Sequence, residues 1–216
     1  RSVRLDVLNN YDRNVIKELQ KIFKIDDFNL MKLSKKSFLD LSSILQVVNY
    51  NEFSELLPKY PSSIKPFHLN EIHEKSIFQI LSEKDIFLHH PYNSFDPVIK
   101  LLKEAAEDPD VLSIKITLYR TAKNSRVIDE LLKAAENGKH VSVLFEVKAR
   151  FDEENNFKNG YKLEKAGCYV IYGIGSLKTH TKLLLIVRRE GKKVRNYAHM
   201  GTGNYNETTS KLYTDI

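Results

Sequence analysis

Val111-Leu112-Ser113-Ile114-Lys115-Ile116-Thr117-Leu118-Tyr119 alternates apolar and polar residues, and an amphipathic stretch over residues 125–136 follows it and ends at Asn137-Gly138. The alternation predicts a strand, the 3.6-residue spacing a helix, and asparagine-glycine a good helix stop. Outward from this pair the order repeats. Residues 140–147 read as a strand, 152–166 as a helix closed by Gly167, and 168–172 as another strand. On the other side, residues 85–89 read as a short strand, and Asp96-Pro97 supplies an N-cap with proline at the first helical position of a helix through Ala106. Residues 182–188 and 194–198 are predicted to pair across Glu190-Gly191. Strand followed by helix, repeated at about 28 residues, predicts an α/β fold with a largely parallel or mixed sheet flanked by helices.

Residues 1–65 differ in pattern. A short alternating strand over residues 3–8 precedes apolar residues at helical spacing, with Val15, Leu19 and Ile22 on one face and Leu39, Leu41, Ile44, Leu45 and Val48 on another. This part reads as mainly helical. The run from Leu57 to Pro66 holds three of the six prolines, which places a connector there and divides the chain into 1–65 and 66–216.

With 216 residues, 42% hydrophobic and 29% charged, the chain is long enough to bury a sizeable core. Its apolar runs fall far short of the roughly 20 residues of a membrane span, and no secretory signal stands at its start, so a cytoplasmic location is expected. The single cysteine, Cys168, excludes an intramolecular disulfide and reads as a buried apolar residue. Lys+Arg exceed Asp+Glu by 34 to 28, a net +6 that suits a polyanionic partner, although a solvated lysine surface gives the same count. The chain begins at Arg1 without a methionine and reads as a piece excised from a longer protein.

In parallel α/β sheets the carboxyl ends of the strands gather functional groups along one edge. Here those positions carry His89-His90-Pro91-Tyr92, then Arg120-Thr121, then Lys148-Ala149-Arg150, then residues 173–179 leading to His180. Arg120, Arg150 and His180 stand 30 residues apart in each step. Blander readings exist for each: Arg120 as a strand-end surface arginine, Arg150 paired with Asp152 or Glu153, His90 bonded only to its own turn. His180 and Lys182 would share one face of a strand, and Gly201-Thr202-Gly203-Asn204 follows at close range.

His-x-Lys followed by Gly-(Ser/Thr)-x-Asn resembles the half-site of the phospholipase D superfamily, which expects an acidic residue five positions after the lysine; that position here is Val187. Five segments, these two motifs included, resemble the large histidine-dependent family of bacterial polyphosphate kinases, in order and spacing: Phe87 through Asp96, Ile116-Thr117-Leu118-Tyr119-Arg120, Ala149-Arg150-Phe151-Asp152-Glu153-Glu154, Leu177-Lys178-Thr179-His180-Thr181-Lys182, and Tyr197 through Asn206. The resemblance implies that residues 1–65 are the end of a helical head domain, and that 66–216 are most of the first of two phospholipase D-like catalytic domains, the second being absent. It implies reversible transfer of the terminal phosphate of ATP to inorganic polyphosphate through a phosphohistidine at His180. Lys182, Lys178 and Asn204 would hold phosphate oxygens, with backbone amides around Gly201, Thr202 and Gly203 as further donors. Arg120 and Arg150 match positions associated with magnesium and phosphate; arginine cannot ligate a cation, so they read as clamps on Mg²⁺-bearing phosphates. Tyr213 matches a position that contacts ATP, and His199 and His90 carry less definite expectations.

The implied partners are ATP or ADP, inorganic polyphosphate and the remaining domains of the same chain, with a homo-oligomer for the full-length protein and no nucleic acid. The implied location is the bacterial cytoplasm, with membrane association as a further expectation for the full-length protein, and the isolated piece is expected to fold but to turn over poorly. Two alternatives stay open: a phospholipase D-like phosphodiesterase or nuclease, and a noncatalytic basic module that binds polyanions.

Overall fold

The structure, a computed structural model, describes residues 4–8, 10–33, 47, 50–57, 75–147, 149 and 153–216. Arg150, the apolar face from Leu39 to Val48 and the prolines of the expected connector lie outside the described residues. The chain divides into two compact units, Arg1–Lys59 and Tyr60–Ile216.

The first unit is a strand-helix-strand. Strand β1 (Leu5–Leu8) pairs in parallel with β2 (Leu30–Leu33), and α1 (Arg13–Phe23) connects them. Asp12 caps α1, its carboxylate accepting from the Asn14 and Val15 amides. The expected apolar face is displaced by one position: Ile16 is buried with Val7 and Ile25, whereas Val15 and Ile22 are exposed. Spacing by three and four fits both phases of the helix; Leu19, half-buried, stays on the inward side with Ile16. Strand β2 was not read from the sequence, because it and its pairing partner lie too far apart for a local pattern to connect them.

The second unit is a five-stranded mixed sheet in the order β5-β4-β3-β6-β7. It comprises α2 (Ile77–Glu83), α3 (Asp96–Glu107), β3 (Val111–Leu118), α4 (Arg126–Glu136), β4 (His140–Phe145), α5 (Glu153–Lys165), β5 (Tyr169–Tyr172), β6 (Lys182–Glu190) and β7 (Lys193–Gly201). Strands β3, β4 and β5 are parallel, β6 runs antiparallel to β3, and β7 antiparallel to β6. Helix α3 packs on β3, α4 on β4 and α5 on β5. Cross-strand rows explain the core: Ile114 lies between Val141 and Ile186, Ile116 between Val143 and Leu184, and Leu118 beside Phe145. All of these side chains are buried on one face. The alternate positions Lys115, Leu183 and Leu185 are exposed or half-buried, as period-two alternation requires.

Two expectations are corrected. Residues 85–89 form no strand; Leu88 enters the core, but a short apolar run without a neighbouring strand has nothing to pair with, and His90 instead makes an isolated bridge to Asp215. The preceding helix α2, capped by Ser76 in a reciprocal box with Gln79, was not anticipated. Helix α3 begins one residue earlier than expected, with Phe95 as cap and Asp96 in the first turn.

The direction of β6 follows from loop length. Only residues 173–181 separate β5 from β6, fewer than the dozen or so that a parallel crossover needs. The segment therefore crosses the carboxyl ends of β4 and β3 and enters β6 from that edge. Gly191, at φ +62°, makes the tight turn into β7 that returns the chain to the same edge.

Candidate functional site

One edge of the sheet thus receives the end of β3 at Tyr119-Arg120, the end of β4 at Glu146, the crossing segment 173–181, the start of β6 at Lys182 and the end of β7 at Gly201. Lys182 and Gly201 are register partners. The reversal of β6 and β7 keeps the glycine turn at the edge where a purely parallel sheet would also have gathered its site.

The crossing segment is fastened at successive residues. The Thr179 amide donates to Glu146 Oε2 at 2.6 Å, and Glu146 is buried. The His180 carbonyl accepts from Lys182 Nζ at 2.6 Å, and the His180 ring stands edge-to-face with Tyr119 at a centroid separation of 5.2 Å and 76°. Thr117 Oγ1 donates to the Thr181 carbonyl at 2.6 Å and accepts from the Leu183 amide at 3.0 Å. His180 itself is exposed and precedes β6, so the expected shared strand face with Lys182 is replaced by a backbone tie between them.

The scaffold beneath is made by α5. Asn156, buried, donates from Nδ2 to the Tyr119 carbonyl at 2.9 Å and the Glu146 carbonyl at 3.2 Å, joining the ends of β3 and β4. Asn159 and Asn155 reach Thr121 Oγ1 at 3.1 and 3.2 Å. A buried amide that satisfies two backbone carbonyls at strand ends fixes where the chain leaves the sheet.

Positive charge collects on one ring. Lys182 Nζ lies 5.3 Å from the Tyr119 centroid, and Lys178 Nζ and Arg120 Cζ lie at 5.6 Å. Lys178 is exposed, whereas Lys182 is only 3% exposed. Burial lowers the Lys182 ammonium below the ordinary lysine range, and the Asp215 carboxylate opposes that shift.

Asp215 belongs to the terminal segment, which folds back on the glycine turn. Thr202 Oγ1 donates to Asp215 Oδ1 at 2.9 Å, the Thr202 amide donates to the Ile216 carbonyl at 2.8 Å, and the amides and carbonyls of Asp215 and His90 bond reciprocally. Gly203 lets this happen: a Cβ there would stand 2.6 Å from Asp215 Oδ2. Val187, five positions after Lys182, sits mid-sheet between Ser113 and Asn196, and the carboxylate whose charge acts on Lys182 is that of Asp215.

His90 is buried, and its Nδ1 pairs with the Asn93 carbonyl at 2.9 Å, which ties it to its own turn. His199 Nδ1 pairs with Tyr205 Oη at 2.8 Å; burial, with a smaller contribution from His90, lowers its pKa to about 4, so the ring is neutral at pH 7. Both histidines, with Gly201, Thr202, Gly203 and Asn204, line a largely apolar cavity of about 360 Å³ beside α2 and α3. His180, Lys178, Lys182, Arg120 and Tyr213 are not in that lining. Asn204 Oδ1 is buried without a hydrogen bond among the described residues. Tyr213 is exposed, its amide donating to the Thr209 carbonyl at 3.0 Å.

The structure thus joins His180, Lys178, Lys182 and Arg120 around Tyr119, and sets Gly201 opposite Lys182. Sequence reading missed Tyr119, Glu146, Asn156 and Asp215. Tyr119 and Glu146 were within reach as residues at predicted strand ends; Asn156 and Asp215 had no local signal.

Residues 76–216 match the family described as polyphosphate kinase C-terminal domain 1. The chain belongs to the polyphosphate kinase family. It is 45% identical over 223 residues to the polyphosphate kinase of Halalkalibacterium halodurans, with 100% of this chain and 30% of that protein covered. The polyphosphate kinase of Streptomyces coelicolor is 46% identical over 220 residues, covering 99% and 29%. Among solved structures, the polyphosphate kinase of Porphyromonas gingivalis matches with a TM-score of 0.65 and 34% identity over 91% of this chain and 31% of that one. The chain spans about 30% of the length of these curated relatives. No helix among the described residues is long and apolar enough to cross a membrane.

Proposed function

We propose that this chain carries the nucleophilic half-site of a polyphosphate kinase, in which the terminal phosphoryl group of ATP passes to inorganic polyphosphate through His180. In the first step an imidazole nitrogen of His180 forms a bond to the γ-phosphorus while the bond to the β,γ-bridging oxygen breaks and ADP leaves. In the second, a terminal oxygen of polyphosphate forms the new P–O bond as the N–P bond breaks, which restores the imidazole. Imidazole suits both steps, being nucleophilic near neutral pH and a ready leaving group.

Phosphoryl transfer depends chiefly on position and on charge around the equatorial oxygens. Lys182, Lys178 and Arg120 supply that charge beside His180, and the glycine turn at Gly201 and Gly203 with the Asn204 side chain supplies the further donors; the Thr202 amide, expected among them, is taken by the Ile216 carbonyl. Arg150 is a second phosphate clamp on the strength of its motif alone, and Tyr213 contacts the nucleotide. The described residues contain no cluster of three His, Cys, Asp or Glu side chains able to hold a metal, and Arg120 has no lone pair to offer. The described residues do not suit a resident Mg²⁺, and magnesium enters with the nucleotide as MgATP.

Residues 1–65 are the end of a head domain and 66–216 the first catalytic domain, phospholipase D-like in architecture. The remaining domains of the protein, as a homo-oligomer in the cytoplasm, complete the site. The observation that carries the reading is the gathering of His180, two lysines and Arg120 at one sheet edge in a chain whose relatives are polyphosphate kinases over their matched length. The test uses the full-length protein and γ-labelled ATP. Acid-labile, base-stable label that disappears in His180→Ala supports the reading; diester cleavage with no labelling by ATP sinks it in favour of a phosphodiesterase.

A further inference from the structure

We infer that Tyr119 is a positioning residue for the phosphoryl transfer, its ring seating the His180 imidazole and holding Lys178 and Lys182 beside it; the inference rests on His180 being the nucleophile. Lys178 and Lys182 arrive at this ring from 59 and 63 residues further along the chain, so their approach is not a consequence of sequence adjacency. Arg120, the third cation near the ring, is its chain neighbour. The tyrosine is itself fixed, because Asn156 grips its carbonyl from below at 2.9 Å.

The residue type matters. A site that binds polyanions must bring several like charges together, and their mutual repulsion opposes this. Carboxylates would relieve the repulsion but would neutralise the charge that phosphate needs. An aromatic face attracts cations through its quadrupole while carrying no net charge, so the ammonium groups are held with their charge uncancelled. Among the described residues Lys178 and Lys182 make no salt bridge with a carboxylate, and the direct hydrogen bond from Lys182 Nζ goes to a neutral acceptor, the His180 carbonyl. The edge-to-face contact sets the His180 imidazole against the same ring. Nucleophile and charge are thereby indexed to a single group, and transfer reactions lose rate steeply when such groups are misplaced by an ångström.

The test is single-turnover labelling of the full-length protein by γ-labelled ATP, measured across ATP concentrations. Tyr119→Leu is expected to slow labelling at saturating ATP by about 10–100-fold while the half-saturating ATP concentration moves less than about threefold, and Tyr119→Phe, which keeps the ring, stays within about threefold of the parent rate. In a Lys178→Met background the Tyr119→Leu loss shrinks, because part of what the ring gathers has already been removed. If Tyr119→Leu does not fold, Tyr119→Met takes its place with the same expected outcomes. Labelling at the parent rate in the ringless variant, equal slowing in Phe and Leu, or fully additive losses with Lys178→Met overturns the inference. Label that persists in His180→Ala overturns the underlying assignment and this inference with it, and is distinguished because it is read in a protein whose Tyr119 is intact.

Discussion

Replacing Glu146 by leucine tests how the segment that carries His180 is fastened. Glu146 is 1% exposed, and its Oε2 takes the Thr179 amide at 2.6 Å across 33 residues of sequence. Its own amide and carbonyl are held by Leu118 and Asn156, so the side chain changes without moving the backbone that carries it. Leucine fills a similar volume and removes the acceptor. A hydrogen bond to a charged group contributes about 1.5–3 kcal/mol, and Thr179 is half-buried, so water replaces part of what is lost. A net local cost of about 2 kcal/mol corresponds to roughly thirtyfold more frequent opening of the segment. Hydrogen exchange reads this directly: the Thr179 amide exchanges roughly thirtyfold faster in Glu146→Leu, with amides such as Leu184 in the sheet core unchanged. Glu146→Gln keeps a carbonyl acceptor and gives a smaller effect, within about fivefold. Thr179 exchange within about threefold of the parent in the leucine variant would refute the claim that Glu146 anchors this segment.

Three further outcomes are expected. His199 has a folded pKa near 4 against an unfolded value near 6.5, so its neutral form contributes stability above about pH 6.5 that is lost as pH falls towards 4, about 1–3 kcal/mol in all; denaturant midpoints measured from pH 7 to 4 should show a flatter slope in His199→Gln, and superimposable profiles sink the assignment. Gly203→Ala places a methyl group against the Asp215 carboxylate and should cost about 1–3 kcal/mol while releasing the terminal segment; unchanged stability together with unchanged protection of the Thr202 amide contradicts it. Cys168 is buried, and desolvation raises its thiol to about 11, so a thiol-selective reagent at pH 8 should modify it only on unfolding; stoichiometric modification of the folded protein within minutes is the contrary result.

How far the sequence carries depends on whether a signal is local. The helices and strands from Asp96 to Gly201 were legible because each carries its own period and its own stop, Asn137-Gly138 and Gly167 among them. Sheet order was less so: that β6 lies beside β3 follows from the shortness of the 173–181 connection, a matter of reach that no hydrophobic pattern records. The apolar run within Asp85–His89 reads as a short strand and is not one, since such a run reports burial and pairing requires a neighbour. At the candidate site His180, Lys182, Arg120 and the glycine turn were visible as motifs. Their organiser was not, because Tyr119 reads as the last residue of a strand until the fold brings lysines from 59 and 63 positions later to its face. Asp215 likewise reads as an unremarkable acid until the chain doubles back onto Gly203.

The hairpin of β6 and β7 also serves as a spacer. Its nine-residue strands begin and end at the site, and its turn at Gly191-Lys192 lies about 26 Å away along the strand. A dye or affinity handle attached at Lys192 would sit on a stiff arm of known length, clear of bound phosphate yet rigidly joined through β6 to the residue two positions from His180. Distances measured from that arm to a second marker elsewhere in the full-length protein would report whether the two move apart when ATP is added, with little blur from linker motion at this end.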